Sequence, residues 1–222
     1  MARRDRTLQW VRPPRQTRSQ ETLDRILDAA GALVAEKGFA DTPLQEIVRR
    51  AGTSIGAFYS RFHDKDGLLY ALQERHLEEA IATTDDALDP ARWADARLDE
   101  VIYAVVRFLV SIYREQEGLL RAFVLRLQQD GEFRARQARL SRHLNRRLAE
   151  LLSTRTAEIG HPEPERAIPL GLLTVLATLE ATLLFGDMRA QELALSDEDL
   201  ARELARSWLA YLGCDAPAPA AG

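Results

Sequence analysis

The fold is decided by a short stretch near the N-terminus, "AGTSIGAFYSRFHDKDGLL", which spans residues 51–69. Ser54 or Thr53 offers an N-cap for a short helix at its start. Phe58 and Phe62 lie four residues apart, so they point to the same side of that helix and predict its buried face. The other side carries small, polar and aromatic residues, which favours a flat surface that meets another molecule rather than a core.

Two predicted helices precede this stretch. "TPLQ" predicts the start of the second one, with Thr42 as N-cap, Pro43 as the first helical residue and Gln45 closing a capping box. Two short helices joined by a tight turn that contains a glycine, here Gly52, form the helix-turn-helix pattern. The first helix ends at Gly38 and has an apolar stripe at helical spacing, which consists of Leu23, Ile26, Leu27, Ala30, Leu33 and Val34.

The third predicted helix has the properties of a DNA-recognition helix. The major groove of DNA is about 12 Å wide and admits one α-helix. Gly56 and Ala57 keep the leading turn slim, so the backbone can approach DNA, and Ser60 lies opposite the buried face. Tyr59 and Arg61 flank that face and suit phosphate contacts, which position a protein on a duplex. A plain helical bundle with a short third helix is the structural alternative.

Charge is distributed unevenly along the chain. Residues 1–62 hold 11 Lys and Arg against 7 Asp and Glu, a net of +4, whereas the whole chain has a net charge of −4, so the remainder carries −8. This split suggests a basic contact surface on an acidic body. Arg outnumbers Lys 28 to 2, a ratio that indicates a bias in codon composition. A high arginine content alone is therefore weak evidence for DNA binding. Arg12, Arg15 and Arg18 could enter the minor groove, attract phosphate or remain a solvated tail.

Lys65, one of the two lysines, lies at the predicted start of the fourth helix, which Asp64 caps. An ammonium group and the free amides of a helix N-terminus can together hold a phosphate. We therefore expect Lys65 to contact the DNA backbone.

Residues 25–72 closely resemble the N-terminal domain of the TetR family of bacterial transcriptional regulators, above all in residues 51–69 and in the pattern "A..L.AEKGF". The resemblance implies a homodimer that binds a palindromic operator in double-stranded DNA, usually represses, and is released when a small molecule enters an all-helical C-terminal domain. Ile55 departs from the polar residue often seen at its position and could touch a thymine methyl group. The operator contacts that the resemblance implies are Gln45, Ser54, Ile55, Gly56, Ala57, Tyr59, Ser60, Arg61 and Lys65.

The rest of the chain is also predicted to be helical. Further helices are expected near 95–115, 117–129, 132–159, 164–186 and 197–212, which makes about nine in an all-α fold. The predicted organisation is a flexible basic arm (1–18), a helix-turn-helix DNA-binding domain (19–66), a helical ligand-binding and dimerisation domain (67–213) and a disordered tail (214–222).

The segments 164–186 and 200–213 are candidates for a dimer interface. The first is apolar nearly all round, and its small residues would let a second helix approach closely. The resemblance places the last two helices of each subunit in a four-helix interface, whereas one thick monomeric core is the alternative. The predicted interface residues are Gly171, Thr174, Thr178, Ala181, Leu204 and Trp208.

Two charged residues interrupt apolar runs in the C-terminal half, Arg107 in "VIYAVVRFLVSIY" and Glu180 in "LATLEATLLF". A charged side chain that is buried away from water needs a partner. Each of the two could pair with a ligand group, pair with the other, or serve the structure alone. Tyr103, Phe108 and Phe123 could line an apolar ligand pocket or belong to the core.

Several function classes lack support in the sequence. A single cysteine, Cys214, leaves no disulfide framework or cysteine-based zinc site, and the four histidines are scattered. No nucleotide-binding or hydrolase motif occurs, so we expect no enzyme, cofactor or metal. A cofactor-free helical enzyme and a protein-binding adaptor are the alternatives. We see no secretory signal and no apolar run long enough to span a bilayer, and expect a cytoplasmic protein without a membrane partner.

Overall fold

Within the part of the chain that the structure describes, the fold is built from helices. The computed structural model describes residues 17–186 and 195–214. The prediction of an all-α fold is confirmed, and the nine α-helices of these two ranges match the number expected. They are α1 (Thr17–Lys37), α2 (Leu44–Arg50), α3 (Ile55–Tyr59), α4 (Lys65–Ala87), α5 (Leu98–Glu115), α6 (Glu117–Gln129), α7 (Gly131–Leu152), α8 (Pro164–Leu179) and α9 (Asp197–Tyr211).

Two predicted segments lie mainly outside the described ranges. Of the predicted arm (1–18), only the last two residues are described, and they begin α1. Of the predicted tail (214–222), only the first residue is described. The expectations for Arg12, Arg15 and the side chain of Arg18 therefore fall outside the described residues.

The turn from α1 to α2 differs from the predicted capping box. Gly38 has a φ of 84°, and its N–H donates to the carbonyl oxygen of Val34 at 2.8 Å, which ends α1 as expected. Thr42 is buried, however, and its hydroxyl donates to the carbonyl oxygen of Gly38 at 2.7 Å. Thr42 holds this turn instead of capping α2, which begins at Leu44, one residue later than predicted, with Pro43 at the N-cap position and no side-chain cap.

The helix predicted at 132–159 ends earlier than expected. α7 stops at Leu152 and continues as a 3-10 segment, Ser153–Glu158, in which Arg155 leaves helical geometry with a φ of −118°. The buried Arg155 guanidinium donates to the carbonyl oxygens of Ala96 and Leu151, both at 3.0 Å. These hydrogen bonds satisfy a charge that would otherwise be costly to bury.

Backbone contacts divide the chain into two compact units. The first contains α1–α3, α4 as far as Ala80, and Gly118–Gln137. Its core therefore includes α6 and the start of α7, a composition that differs from the predicted helix-turn-helix domain (19–66). Phe123 and Phe133 explain the difference, because both are buried in this core with their ring centroids 5.6 Å apart.

The second unit contains Ile81–Glu117 and the described residues from Ala138 onward. The buried side of α5 supplies much of its core, and α9 packs along α5 and α8. The core residues from these three helices include Val101, Ile102, Val106, Ile168, Leu172, Val175, Leu200, Leu204 and Trp208.

Residues Pro164–Leu184 form one helical stretch that is long and apolar enough to cross a membrane by length and composition alone, within the described residues. The expectation that no run reaches this length was wrong. Leu172 and Val175 on this stretch are buried in the core of the second unit, while Leu170 and Leu173 are exposed. A helix whose inner side packs in a helical core passes the same test as a membrane span.

Candidate nucleic-acid interface

The short helix α3 is fixed at both its start and its inner side. Ser54 is extended (φ −114°, ψ 160°), and its hydroxyl accepts the N–H of Ala57 at 3.1 Å, so it is the N-cap. Phe58 and Phe62 are fully buried, with ring centroids 4.9 Å apart. Both predictions from the sequence are thus confirmed, and the burial of these two rings decides which side of α3 faces outward.

The outward side of α3 presents the residues that the sequence singled out. Ile55 and Tyr59 are large apolar or aromatic side chains that remain 43% and 51% exposed. Gly56 lies between them and is also exposed. We call the following set the recognition surface; all of its members are exposed except Ala57 and Arg61, which are partly buried: Gln45, Ser54, Ile55, Gly56, Ala57, Tyr59, Ser60 and Arg61.

Ser60 and Arg61 close the C-terminal end of α3. The hydroxyl of Ser60 and the guanidinium of Arg61 both donate to the carbonyl oxygen of Ala57, each at 2.8 Å. A cation at a helix C-terminus also complements the helix dipole. Arg61 therefore has a local structural role beside its predicted phosphate contact.

Lys65 is placed differently from the expected phosphate clamp. Its ammonium donates to the carbonyl oxygen of Phe39 at 2.6 Å and lies 4.4 Å from the centroid of the Phe39 ring. Burial lowers the pKa of Lys65. The carboxylate of Asp64 already accepts the N–H of Gly67 at 2.7 Å, which lowers the pKa of Asp64. The Lys65 ammonium and the Gly67 amide thus both have hydrogen-bond partners within the chain, and the phosphate contact of Lys65 stays a prediction.

A polar cluster that the sequence analysis missed holds the start of α4. Arg126 on α6 forms ion pairs with Asp66 and Asp130, both at 3.0 Å, and the hydroxyl of Tyr70 donates to Asp130 at 2.7 Å. We call these four residues the α4–α6 clip. Burial and the hydrogen bond to Asp130 raise the pKa of Tyr70 to about 12. In the sequence, Asp130 and Gly131 lie between two predicted helices, a position that indicates a helix break but no partner for Asp130.

Asp130 is the centre of the clip. Its second oxygen accepts the N–H of Phe133 at 3.1 Å and thereby caps α7. Burial opposes ionisation, but the hydrogen bonds from Tyr70, Phe133 and Arg126 outweigh it and hold the pKa of Asp130 below its usual value. All four clip residues belong to the first unit, so the clip joins α4, which begins just after α3, to α6 and α7 within that unit.

The predicted dimer-interface residues fall into two groups. Gly171, Leu204 and Trp208 are buried in the core of the second unit, where the Trp208 indole lies against Gly171. Their assignment to a surface between subunits was wrong, because they fill the space between α8 and α9 of one chain. Thr174 is exposed, and Thr178 and Ala181 are partly buried.

The structure does not bring the five predicted ligand residues together. Phe123 belongs to the core of the first unit. Arg107 and Phe108 lie on the exposed side of the amphipathic helix α5, so the expectation that Arg107 is a buried charge was wrong. Tyr103 donates a hydrogen bond to Glu198. Only Glu180 remains a half-buried charge.

Comparison with known proteins decides the family. Residues 26–72 match the family model of bacterial regulatory proteins of the tetR family, and residues 98–212 match the tetracyclin repressor-like C-terminal domain. The second match alone covers more than half of the chain. The chain belongs to the TetR family. This TetR-family member is therefore a DNA-binding transcriptional regulator.

Individual TetR-family proteins align along most of the chain. The HTH-type transcriptional regulator UidR of Escherichia coli (strain K12) is 25% identical over 198 residues, which cover 85% of this chain and 88% of UidR. SmeT, the repressor of the Stenotrophomonas maltophilia multidrug efflux pump SmeDEF, superimposes with a TM-score of 0.60 at 25% identity over 86% of this chain and 90% of SmeT. Bacillus subtilis FadR in complex with stearoyl-CoA gives 0.59 at 22% identity, over 85% and 96% of the two chains.

Proposed function

We propose that this protein is a cytoplasmic repressor that binds a palindromic operator as a homodimer and leaves it when a small molecule binds the second unit. The observation that carries the proposal is the slim, outward side of α3, fixed by the burial of Phe58 and Phe62. SmeT is a repressor and FadR binds an acyl-CoA, which supports repression and ligand response. The family consists of regulators, so no enzymatic activity is proposed.

The recognition surface supplies the proposed DNA contacts. Ile55 and Ala57, with Gly56 between them, form the leading turn that would approach base edges, with Ile55 suited to a thymine methyl group. Tyr59 is exposed and would donate to a phosphate, as would Gln45 on α2. Lys65 remains a proposed phosphate contact, and it also stabilises the turn between α1 and α2 through the carbonyl oxygen of Phe39.

The outer face of α8 is the proposed contact between the two copies. Leu170 and Leu173 are 47% and 60% exposed. The hydroxyls of Thr174 and Thr178 donate to carbonyl oxygens one turn earlier in the same helix, at 2.9 Å and 2.8 Å. Because these hydroxyls are satisfied within α8, the threonines add methyl groups to the exposed face. An apolar helix face of this kind fits the same face of a second copy.

Ligand response requires a link from the second unit to α3. α4 begins six residues after α3 ends and continues past Ala80 into the second unit. We propose that a ligand in the second unit favours a different position of α4, which changes the spacing of the two recognition helices. A preference of about 1–3 kcal/mol for one state changes affinity by roughly 5-fold to 150-fold.

The test is a gel-shift titration with the DNA upstream of the protein's own gene, at several salt concentrations. The wild-type protein should retain this DNA, with an affinity that falls as salt rises. Tyr59→Ala and Ile55→Ala should each weaken binding about tenfold or more, since a good base-edge or phosphate contact is worth about 1–3 kcal/mol. Tyr211→Ala is the matched control, because Tyr211 is an exposed tyrosine on α9. Equal binding by all four proteins would contradict the proposed surface.

A further inference from the structure

Glu180 lies where the geometry of α8 changes. The α-helix ends at Leu179, and Glu180–Leu184 forms a π-helical turn in which the N–H of Phe185 donates to the carbonyl oxygen of Glu180 at 3.3 Å. This wider turn shifts the direction of the side chains that follow it. π-turns within helices are frequent at functional sites, because they place a side chain where a regular helix would not.

Among the described residues, buried leucines adjoin Glu180, and one polar side chain, Tyr113, is its hydrogen-bond partner. Leu179, Leu183 and Leu184 beside it are buried, and the turn packs against α5. From α5, the hydroxyl of Tyr113 donates to Oε1 of Glu180 at 3.5 Å, the limit of a hydrogen bond. A carboxylate in such a place loses hydration that a single long hydrogen bond does not replace.

Within the described residues, no cation pairs with this carboxylate. The basic residues of the neighbouring helix are engaged elsewhere or face outward: Arg114 pairs with Asp197 at 2.7 Å, and Arg107 is exposed. Burial raises the pKa of Glu180, and the hydrogen bond from Tyr113 only partly opposes this effect. Burial and the nearby Glu180 carboxylate also raise the pKa of Tyr113, so its hydroxyl stays protonated as a donor.

We infer that Glu180 and Tyr113 form the polar anchor of the effector site and that the effector is an apolar molecule with a positively charged amine or ammonium group. The carboxylate would supply the opposite charge, the ring of Tyr113 a cation–π contact, and the surrounding leucines the apolar contacts. An anionic effector would meet an unfavourable charge at this place. The inference rests on the proposed ligand response and adds the chemical class of the ligand.

The test uses three probes with the same alkyl chain and different head groups: decyltrimethylammonium, decanol and decanoate. Each is titrated into the full-length protein by isothermal calorimetry, below its micelle concentration. The cationic probe should bind at least tenfold more tightly than the other two. Glu180→Gln should remove that preference and leave decanol binding unchanged. Glu165→Gln is the control, because Glu165 is an exposed glutamate on the same helix.

Three results would overturn the inference: no binding of the cationic probe, tighter binding of decanol or decanoate, or the same preference in Glu180→Gln as in wild type. Tyr113→Phe provides a second variant, which should weaken the cationic probe by a smaller factor because the ring remains. A gel shift of each variant without probe separates this inference from the proposed function. If the wild type does not bind the operator, the proposed function is wrong. The calorimetric comparison would still show whether Glu180 and Tyr113 bind a cationic ligand.

Discussion

The indole of Trp208 lies directly against the backbone of Gly171. A Cβ atom built on Gly171 would be 2.7 Å from Cε2 of Trp208 and closer still to Nε1 and Cδ1. Gly171→Ala should therefore force the indole or α8 to move, at a cost of about 1–3 kcal/mol in the free energy of unfolding. Urea denaturation measures this loss. Gly131→Ala is the control, since a Cβ there meets nothing within 4 Å, and it should be neutral or stabilising.

A second glycine makes a close contact in the first unit. A Cβ on Gly118, at the start of α6, would be 2.7 Å from Cα and 2.8 Å from the carbonyl carbon of Ala35 on α1. Backbone atoms cannot turn aside as a side chain can, so Gly118→Ala should separate these helices and cost at least as much as the change at Gly171. Thermal unfolding of Gly118→Ala beside the same Gly131→Ala control checks this. Equal melting temperatures for both would show that α1 and α6 do not pack so closely.

The clip gives the protein a specific response to alkaline pH. The folded state raises the pKa of Tyr70 to about 12, whereas an unfolded tyrosine titrates near pH ~10. A folded pKa above the unfolded one contributes stability that is complete below about pH 10 and is lost as pH rises towards about 12. Wild type should therefore be more stable than Tyr70→Phe at pH 8, and the difference should shrink between about pH 10 and 12.

Urea unfolding of both proteins at several pH values measures that difference. Tyr211→Phe serves as the control. Because Tyr211 is exposed, this variant measures the change in stability that follows from removing the hydroxyl of a surface tyrosine. A difference between wild type and Tyr70→Phe that stays constant across the range would mean that the Tyr70 hydroxyl does not donate to Asp130 in solution.

Local patterns predicted the elements of this fold well. Helical spacing, caps and helix breaks together predicted the nine described α-helices, and the pair Phe58 and Phe62 predicted the inner side of α3, because these features depend on neighbours along the chain. Thr42 was assigned wrongly because its hydroxyl can either cap α2 or donate to a carbonyl oxygen at the end of α1. In the structure it donates to the carbonyl oxygen of Gly38. Sequence spacing alone cannot show which of these solutions tertiary packing selects.

Contacts between distant segments were the harder part of the site. Helical spacing predicted that Gly171 and Thr174 share one stripe of α8. It does not show which neighbouring helix packs against that stripe. Trp208, 37 residues later, occupies the space beside Gly171 and so turns that position inward. Phe123 was assigned to the ligand domain for the same reason, because its partner Phe133 and the helix-turn-helix core form a unit that is not contiguous in sequence.

The proposed dimer contact on α8 yields the last prediction. Leu173 is 60% exposed on the apolar outer face of α8, so Leu173→Asp should leave the fold intact and place a charge in the contact between copies. We expect a shift from dimer to monomer in analytical ultracentrifugation and a loss of operator affinity, because half-sites about one helical turn apart need two linked recognition helices. Leu125→Asp is the matched control: Leu125 is a leucine that is 48% exposed on α6, in the first unit. A dimer that survives Leu173→Asp as well as it survives Leu125→Asp would place the contact on another face, even though Gly171 and Trp208 remain inside the protomer.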